Sequence, residues 1–346
     1  MRFCANQSNC SIGFYYKCIE SRKAQSDRVP ELTLDPQRRI IISQRVLLLS
    51  PDGFVGSGVK RVLASPYSLV TLCREDLDFC DTENLTNRIR DIAPNTVINA
   101  AGGVAGIQGN IDNPVDLLMS NTEVSTSVLR ATHEAKVPRY IQYASACVYP
   151  LNESTLSRPE DLGTGPIEPT SLSYATAKIL AIEAVRAYRK QYKHDWISVI
   201  PTNLYGPGDW DHGSGGHVIS MLMEKFVSAK NNGSEMVTVW GDGKSKRSFL
   251  HIDDLANSTE FMLRQPPGSE AVINVSGDQE ITISDLALLI CDVTEFEGEI
   301  IFDSTKPSGA RRKQLDDSYL RGKGWQPSVT LEMGLRDYLK HFLTRS

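Results

Sequence analysis

The chain has 346 residues, enough to bury a core in one large domain or two intertwined ones. Its 37 Lys and Arg against 42 Asp and Glu leave a formal charge of -5, which gives no electrostatic case for binding nucleic acid or an anionic membrane. No apolar run approaches the roughly 18 residues of a membrane span.

Residues 1–44 differ in composition from the rest, with three of the seven Cys and seven Lys/Arg against four Asp/Glu. They lack a long apolar stretch, and they carry Glu20, Asp27, Glu31 and Asp35. A weakly ordered extension is expected there rather than a signal or transit peptide. From Arg45 a regular alternation sets in. Arg45-Val-Leu-Leu-Leu-Ser50, Ser68–Cys73, Thr96–Ala101 and Arg139–Ser145 are short apolar runs of the kind found in strands buried on both faces. A helix is expected from about Phe54 and another over Val115–Glu134. Strands alternating with helices predict right-handed crossovers and an α/β fold, a doubly wound parallel Rossmann sheet. The second half is less regular and is expected to supply a smaller mixed α/β substrate-binding domain. The division predicted is 45–205, with a return segment near 238–265, for the larger domain, and 206–237 with 266–346 for the smaller.

The seven Cys are scattered, with no CxxC pair and no metal-ligand spacing. Free thiols in a reducing, cytoplasmic compartment are expected, and no metal site.

Ser50-Pro-Asp-Gly53-Phe-Val-Gly56 joins the first strand to the first helix. Glycines in such a turn allow a tight bend, close approach of a pyrophosphate and close helix–strand packing. Here Gly53 and Gly56 remain, Ser50 stands at the first position, and the helix N-terminus can receive phosphates. The second strand ends at Cys73, and Arg74 follows where an acidic residue would favour NAD. An arginine there can pair with the 2′-phosphate of NADP(H), the cofactor expected; a solvated surface arginine is the plainer alternative.

Tyr174-Ala-Thr-Ala-Lys178 puts Tyr and Lys on one helix face. An ammonium beside a phenol is expected to lower its pKa, so that Tyr174 protonates a carbonyl oxygen as hydride arrives. Ser145, at the end of the fourth strand, would hydrogen-bond that oxygen. Two residues on lies Cys147, and His217 follows the glycine-rich run 211–216. A thiol and an imidazole on opposite faces of a ketosugar could move protons at the carbons flanking its carbonyl. The plainer alternatives are a small buried hydrophobe for Cys147 and a helix N-cap or cofactor contact for His217.

Ser145, Tyr174 and Lys178 in this setting resemble the extended short-chain dehydrogenase/reductases. The resemblance narrows to the GDP-L-fucose synthase family, the GDP-4-keto-6-deoxymannose epimerase-reductases. It runs from about Arg45 to near the C-terminus and is carried by Asn99-Ala-Ala101 with Val104–Ile107, Ser145-x-Cys147-Val-Tyr-Pro150, Glu168-Pro-Thr170, Tyr174-x-x-x-Lys178, Pro201–Pro207, His217-Val-Ile219, Val239-Trp-Gly-x-Gly243, Arg247–Asp254, Lys306-Pro-x-Gly309 and Arg312-Lys-x-Leu-Asp316. It implies Tyr174 as proton donor, Lys178 as its partner and a ribose contact, Ser145 as carbonyl orienter, Cys147 as epimerisation base and His217 as opposing acid. It implies cofactor contacts at Gly53, Phe54, Val55, Gly56, Arg74, Leu77, Ala101, Tyr143, Lys178, Pro201, Asn203, Leu204 and His217. A GDP-sugar would be lined by Lys225, Trp240, Arg247 and Lys313. A homodimer is implied as well. The sequence departs from the family at Ser50 for glycine and at Asp52, where a basic residue is common. The alternatives are a related GDP-deoxyhexose epimerase or reductase and a non-catalytic cofactor-sensing Rossmann protein.

Overall fold

A computed structural model describes residues 44–151, 156–209, 217–306 and 311–344. The extension over 1–43, the run 211–216 and Gly309 lie outside the described residues.

The larger sheet is built from β1 (Arg45–Leu49), β2 (Ser68–Leu72), β3 (Thr96–Asn99), β4 (Arg139–Tyr143), β5 (Asp195–Pro201) and β9 (Val272–Val275), in the order β2-β1-β3-β4-β5-β9. Every neighbouring pair is parallel. The alternation of side chains along a strand explains the continuous apolar sequence of β1. Val46 and Leu48 enter the core on the face covered by α1 (Phe54–Leu63) and α7 (Ile252–Arg264), while Leu47 and Leu49 enter the opposite core with α2 (Thr82–Ile92) and α4 (Pro114–Glu134). Helix α5 (Leu172–Tyr192) packs along α4. The doubly wound parallel sheet expected from the sequence is therefore the fold.

A second core lies under α6 (Val218–Asn231), α8 (Ile283–Thr294) and α10 (Leu331–Leu343). It carries a parallel pair, β7 (Met236–Trp240) with β11 (Glu299–Asp303), and a mixed sheet. In that sheet β8 (Lys246–His251) meets β6 (Asn203–Tyr205), β10 (Glu280–Thr282) and β12 (Arg312–Lys313). A short helix, α3 (Ile107–Asp112), and another, α9 (Ser318–Gly322), complete the elements.

The domain limits drawn from sequence need correction. β7 and β8 belong to the smaller unit's sheets, so within the return segment near 238–265 it is α7 that packs on the Rossmann layer, and the return continues beyond it to β9. β9 falls in the segment 266–346 that was assigned elsewhere, yet it pairs with β5 at Ser198↔Val272 through Pro201↔Val275. The physical reason is that all four of its residues are buried, so it needs a layer on each face. Leu320 and Trp325 follow it into the same core. Among the described residues no helix is long and apolar enough to cross a membrane.

Candidate active site

The chain leaves β1 for β2 on one side and returns to β3 on the other. In a doubly wound sheet such a reversal opens a crevice at the carboxyl ends of the strands. A cavity of about 690 Å³ occupies it, walled by the loops after β1, β3, β4 and β5, by the starts of α5 and α6, and by β7, β8 and Lys313.

At one end lies the turn from β1 to α1. Ser50 has φ 60°, the left-handed region that glycine enters without cost. Gly56 cannot be replaced at constant backbone: a Cβ there would sit 1.9 Å from the Ser50 carbonyl oxygen. Its function is thus close helix–strand packing behind the cavity wall, whereas Gly53, Phe54 and Val55 form the wall itself. Gly53 is the N-cap of α1 and offers no side-chain cap, which leaves the first-turn N–H groups available to an anion. Asp52 does not oppose this: its exposed carboxylate lies 3.7 Å from Lys60 Nζ and is not part of the wall. Because Ser50 holds a conformation that disfavours a Cβ, Ser50→Gly is expected to raise unfolding stability by about 1 kcal/mol, read by urea denaturation.

The neighbouring loop is held from below. Asn121 of α4 accepts from Gly103 N at 3.1 Å and donates to Gly103 O at 3.0 Å. A Cβ on Gly102 would lie 2.9 Å from Asn121 Oδ1 and 3.1 Å from Lys178 Nζ, so the glycine makes room for both. Ala101, Pro201, Asn203 and Leu204 also line the cavity. Tyr143 contributes its backbone; its phenol turns into the core and bonds Thr259 Oγ1 at 2.7 Å. Arg74 and Leu77 are not on the cavity wall. Arg74 is exposed just past the end of β2, and Leu77 is half-buried against the core.

Ser145, Tyr174 and Lys178 converge as expected. The fourth strand delivers Ser145, and the first turns of α5 deliver the pair. Lys178 is buried, donates to the Tyr143 carbonyl at 3.4 Å and lies 5.5 Å from the Tyr174 ring centroid. The expected lowering of the phenol is not found in the polypeptide itself. Burial, with a contribution from Cys147, pushes Tyr174 well above its ordinary value. The same burial lowers Lys178 to about 8. A lysine whose folded pKa lies below its unfolded value binds fewer protons when folded, so stability should rise as pH increases from about 8 towards 10. Urea denaturation is expected to show that rise, and Lys178→Met to remove about 2 kcal/mol of it.

Cys147 is buried at the first turn after Ser145, and its backbone N–H donates to Ser145 Oγ at 3.5 Å. Burial pushes its thiol up, opposed by Ser145 and by the charges of Lys313 and Lys178. His217 stands at the start of α6 and on the cavity wall. Its ring does not cap the helix; Nδ1 lies 2.7 Å from Oδ1 of the buried Asp209.

At the far end Arg247 and Lys313 sit side by side in register on β8 and β12. Lys225 Nζ donates to Thr238 O at 2.9 Å and lies 5.6 Å from the Trp240 ring, with Lys306 Nζ at 5.7 Å from the same ring. Burial pushes Lys225, Arg247 and Lys313 down. Glu168 faces them. Burial alone would raise its carboxyl, but bonds from Thr170 and Ser171 and the charge of Lys313 hold it low.

Residues 51–276 match the profile of the NAD dependent epimerase/dehydratase family. The chain belongs to that family. It is 38% identical to GDP-L-fucose synthase 1 of Arabidopsis thaliana over 88% of this chain and 95% of that protein. It is 34% identical to the GDP-L-fucose synthase of Escherichia coli K12 over 87% and 97%. A crystal structure of a GDP-L-fucose synthetase from Naegleria fowleri bound to NADP superposes with a TM-score of 0.78, at 25% identity over 91% of this chain and 96% of that one.

For this epimerase/dehydratase-family chain, sequence reasoning missed three features of the site. Asn121 signals itself only as an amide on a buried helix face, and Gly102 only as one glycine among several. Asp209 carries no signal beyond lying eight residues before His217.

Proposed function

We propose that the protein is an NADPH-dependent epimerase-reductase that converts GDP-4-keto-6-deoxy-D-mannose to GDP-L-fucose. The observation that carries this reading is the joining of two proton-handling sets, Ser145/Tyr174/Lys178 and Cys147/His217, with a cation and indole subsite in one cavity. The names of its relatives support it, GDP-L-fucose synthase in plants and bacteria. The uncapped start of α1, the space kept by Gly102 and the buried ammonium of Lys178 suit a nicotinamide dinucleotide.

Lys225, Arg247 and Lys313 would hold the diphosphate and Trp240 would wall the nucleoside or sugar. The C4 ketone acidifies the hydrogens at C3 and C5. Cys147 as thiolate removes such a proton, the electron pair moves into the enolate, and His217 protonates the opposite face. Ser145 holds the ketone oxygen, and Tyr174 gives it the final proton while Lys178 supports the charge. NADPH, when bound, supplies the hydride to C4.

A homodimer and a reducing, cytoplasmic compartment belong to the same proposal. The exposed apolar residues Val115 and Met119 on α4 and Leu172 and Leu180 on α5 suit pairing of these two helices with a second copy. Incubation with GDP-4-keto-6-deoxy-D-mannose and NADPH tests the activity. One NADPH oxidised per GDP-L-fucose formed is expected; NADPH binding without turnover contradicts it, and epimerised sugar without NADPH loss reduces it to an epimerase.

A further inference from the structure

We infer that Asp209 is the positioning residue of His217, the two forming a carboxylate–imidazole dyad that presents Nε2 as the proton donor for epimerisation. This rests on the acid role proposed for His217. Four observations converge. The Nδ1–Oδ1 distance is 2.7 Å, the length of a charge-assisted bond. Asp209 is 5% exposed, and its Oδ2 has no hydrogen-bond partner among the described residues. Its backbone is fixed at both ends: its N–H donates to Gly206 O at 3.0 Å, and its carbonyl accepts from Tyr338 Oη on α10. His217 occupies the N-cap position of α6 without spending its ring on the helix.

A buried carboxylate is costly unless a cation answers it. A protonated His217 supplies that cation in the proposed step, held by Asp209 against the positive wall of Lys178, Lys225, Arg247, Lys306 and Lys313; Glu168, Cys147, Tyr143 and Tyr174 are the other ionisable residues lining the cavity. Anchoring Nδ1 also fixes the tautomer, as a buried carboxylate does wherever it orients a catalytic imidazole. The step balances simply. Cys147 takes a C–H proton, the electron pair enters the enolate, and the Nε2–H bond of His217 breaks to give the proton to the other face. The ring is left neutral with Nδ1–H still bonded to Asp209. Solvent then protonates Nε2 and accepts the proton from the Cys147 thiol.

Three readings on the full-length protein decide this. The first is deuterium uptake at C3 and C5 of GDP-4-keto-6-deoxy-D-mannose in D2O with NADP+ present. Asp209→Asn is expected to slow it on the order of 10²-fold. The second is oxidation of GDP-L-fucose by NADP+, which requires no epimerisation and is expected to fall far less. The third is the NMR signal of the His217 Nδ1 proton, expected strongly downfield in the wild-type protein and lost in Asp209→Asn. Wild-type deuterium uptake in Asp209→Asn, with uptake lost in His217→Asn, would overturn the dyad. Uptake retained in His217→Asn would instead overturn the role of His217 itself. If Asp209→Asn does not fold, the wild-type resonance decides: its absence from the downfield region contradicts the dyad.

Discussion

Tyr174→Phe is expected to slow NADPH oxidation by about 10³-fold while deuterium uptake at C3 and C5 continues at close to the wild-type rate. The substitution removes the proton that the C4 oxygen receives as hydride arrives, and it leaves Cys147 and His217 intact. Burial raises the phenol far above neutrality, so Tyr174 is fully protonated across the working pH range, which is the form a donor needs. The group that titrates nearby is Lys178, lowered to about 8. The reduction rate is therefore expected to change with pH near that value and not through ionisation of Tyr174. Stopped-flow absorbance gives hydride transfer and NMR gives the exchange. A loss of less than tenfold in hydride transfer would contradict the assignment.

Cys147→Ser is expected to do the reverse, lowering C3 and C5 exchange on the order of 10³-fold and sparing oxidation of GDP-L-fucose by NADP+. The change is nearly isosteric, so packing against Ala144, Val148 and Ala175 should survive. What is lost is acidity. An alcohol does not ionise near neutrality, whereas the thiol, although raised by burial, is drawn back by Lys178 and Lys313. Exchange at the wild-type rate in Cys147→Ser would remove Cys147 as the base.

The fold was legible where burial leaves a strong periodic mark. β1, β3 and β4 are runs covered on both faces, the edge strand β2 is buried only at Leu72, and each was placed within two residues of its observed limits. Helix α2 was not singled out, because only Leu85, Thr86, Ile89 and Ile92 of its eleven residues are buried and the rest is polar. β9 was assigned to the wrong layer because four apolar residues say that a strand is covered but not by what. Within the site, Tyr174 and Lys178 were readable from their helical spacing taken together with their setting, a helix after the fourth strand with Ser145 at that strand's end. Cys147 and His217 were readable as one option beside a buried hydrophobe and a helix N-cap, and the cations only through resemblance. The Arg247–Asp254 run shows how such a motif divides. Arg247 and Phe249 reach the cavity, whereas His251 accepts from Asp253 N at the start of α7 and Asp254 binds the backbone of Ser328 and Val329. Asp209 was illegible because its partner is set by tertiary placement rather than by a helical or strand period.

Position 50 combines a departure from the family with a measurable strain, since a serine holds the φ of 60° that glycine holds elsewhere in such turns. Asp52, the other departure, is answered by Lys60.

In the proposed function one cavity epimerises a ketosugar and then reduces it. NMR of the sugar formed in D2O from GDP-4-keto-6-deoxy-D-mannose and unlabelled NADPH tests this most directly. GDP-L-fucose with deuterium at C3 and C5 and protium at C4 is the expected product. A reduced sugar that keeps protium at C3 and C5, or a deuterated ketone that is never reduced, would contradict it.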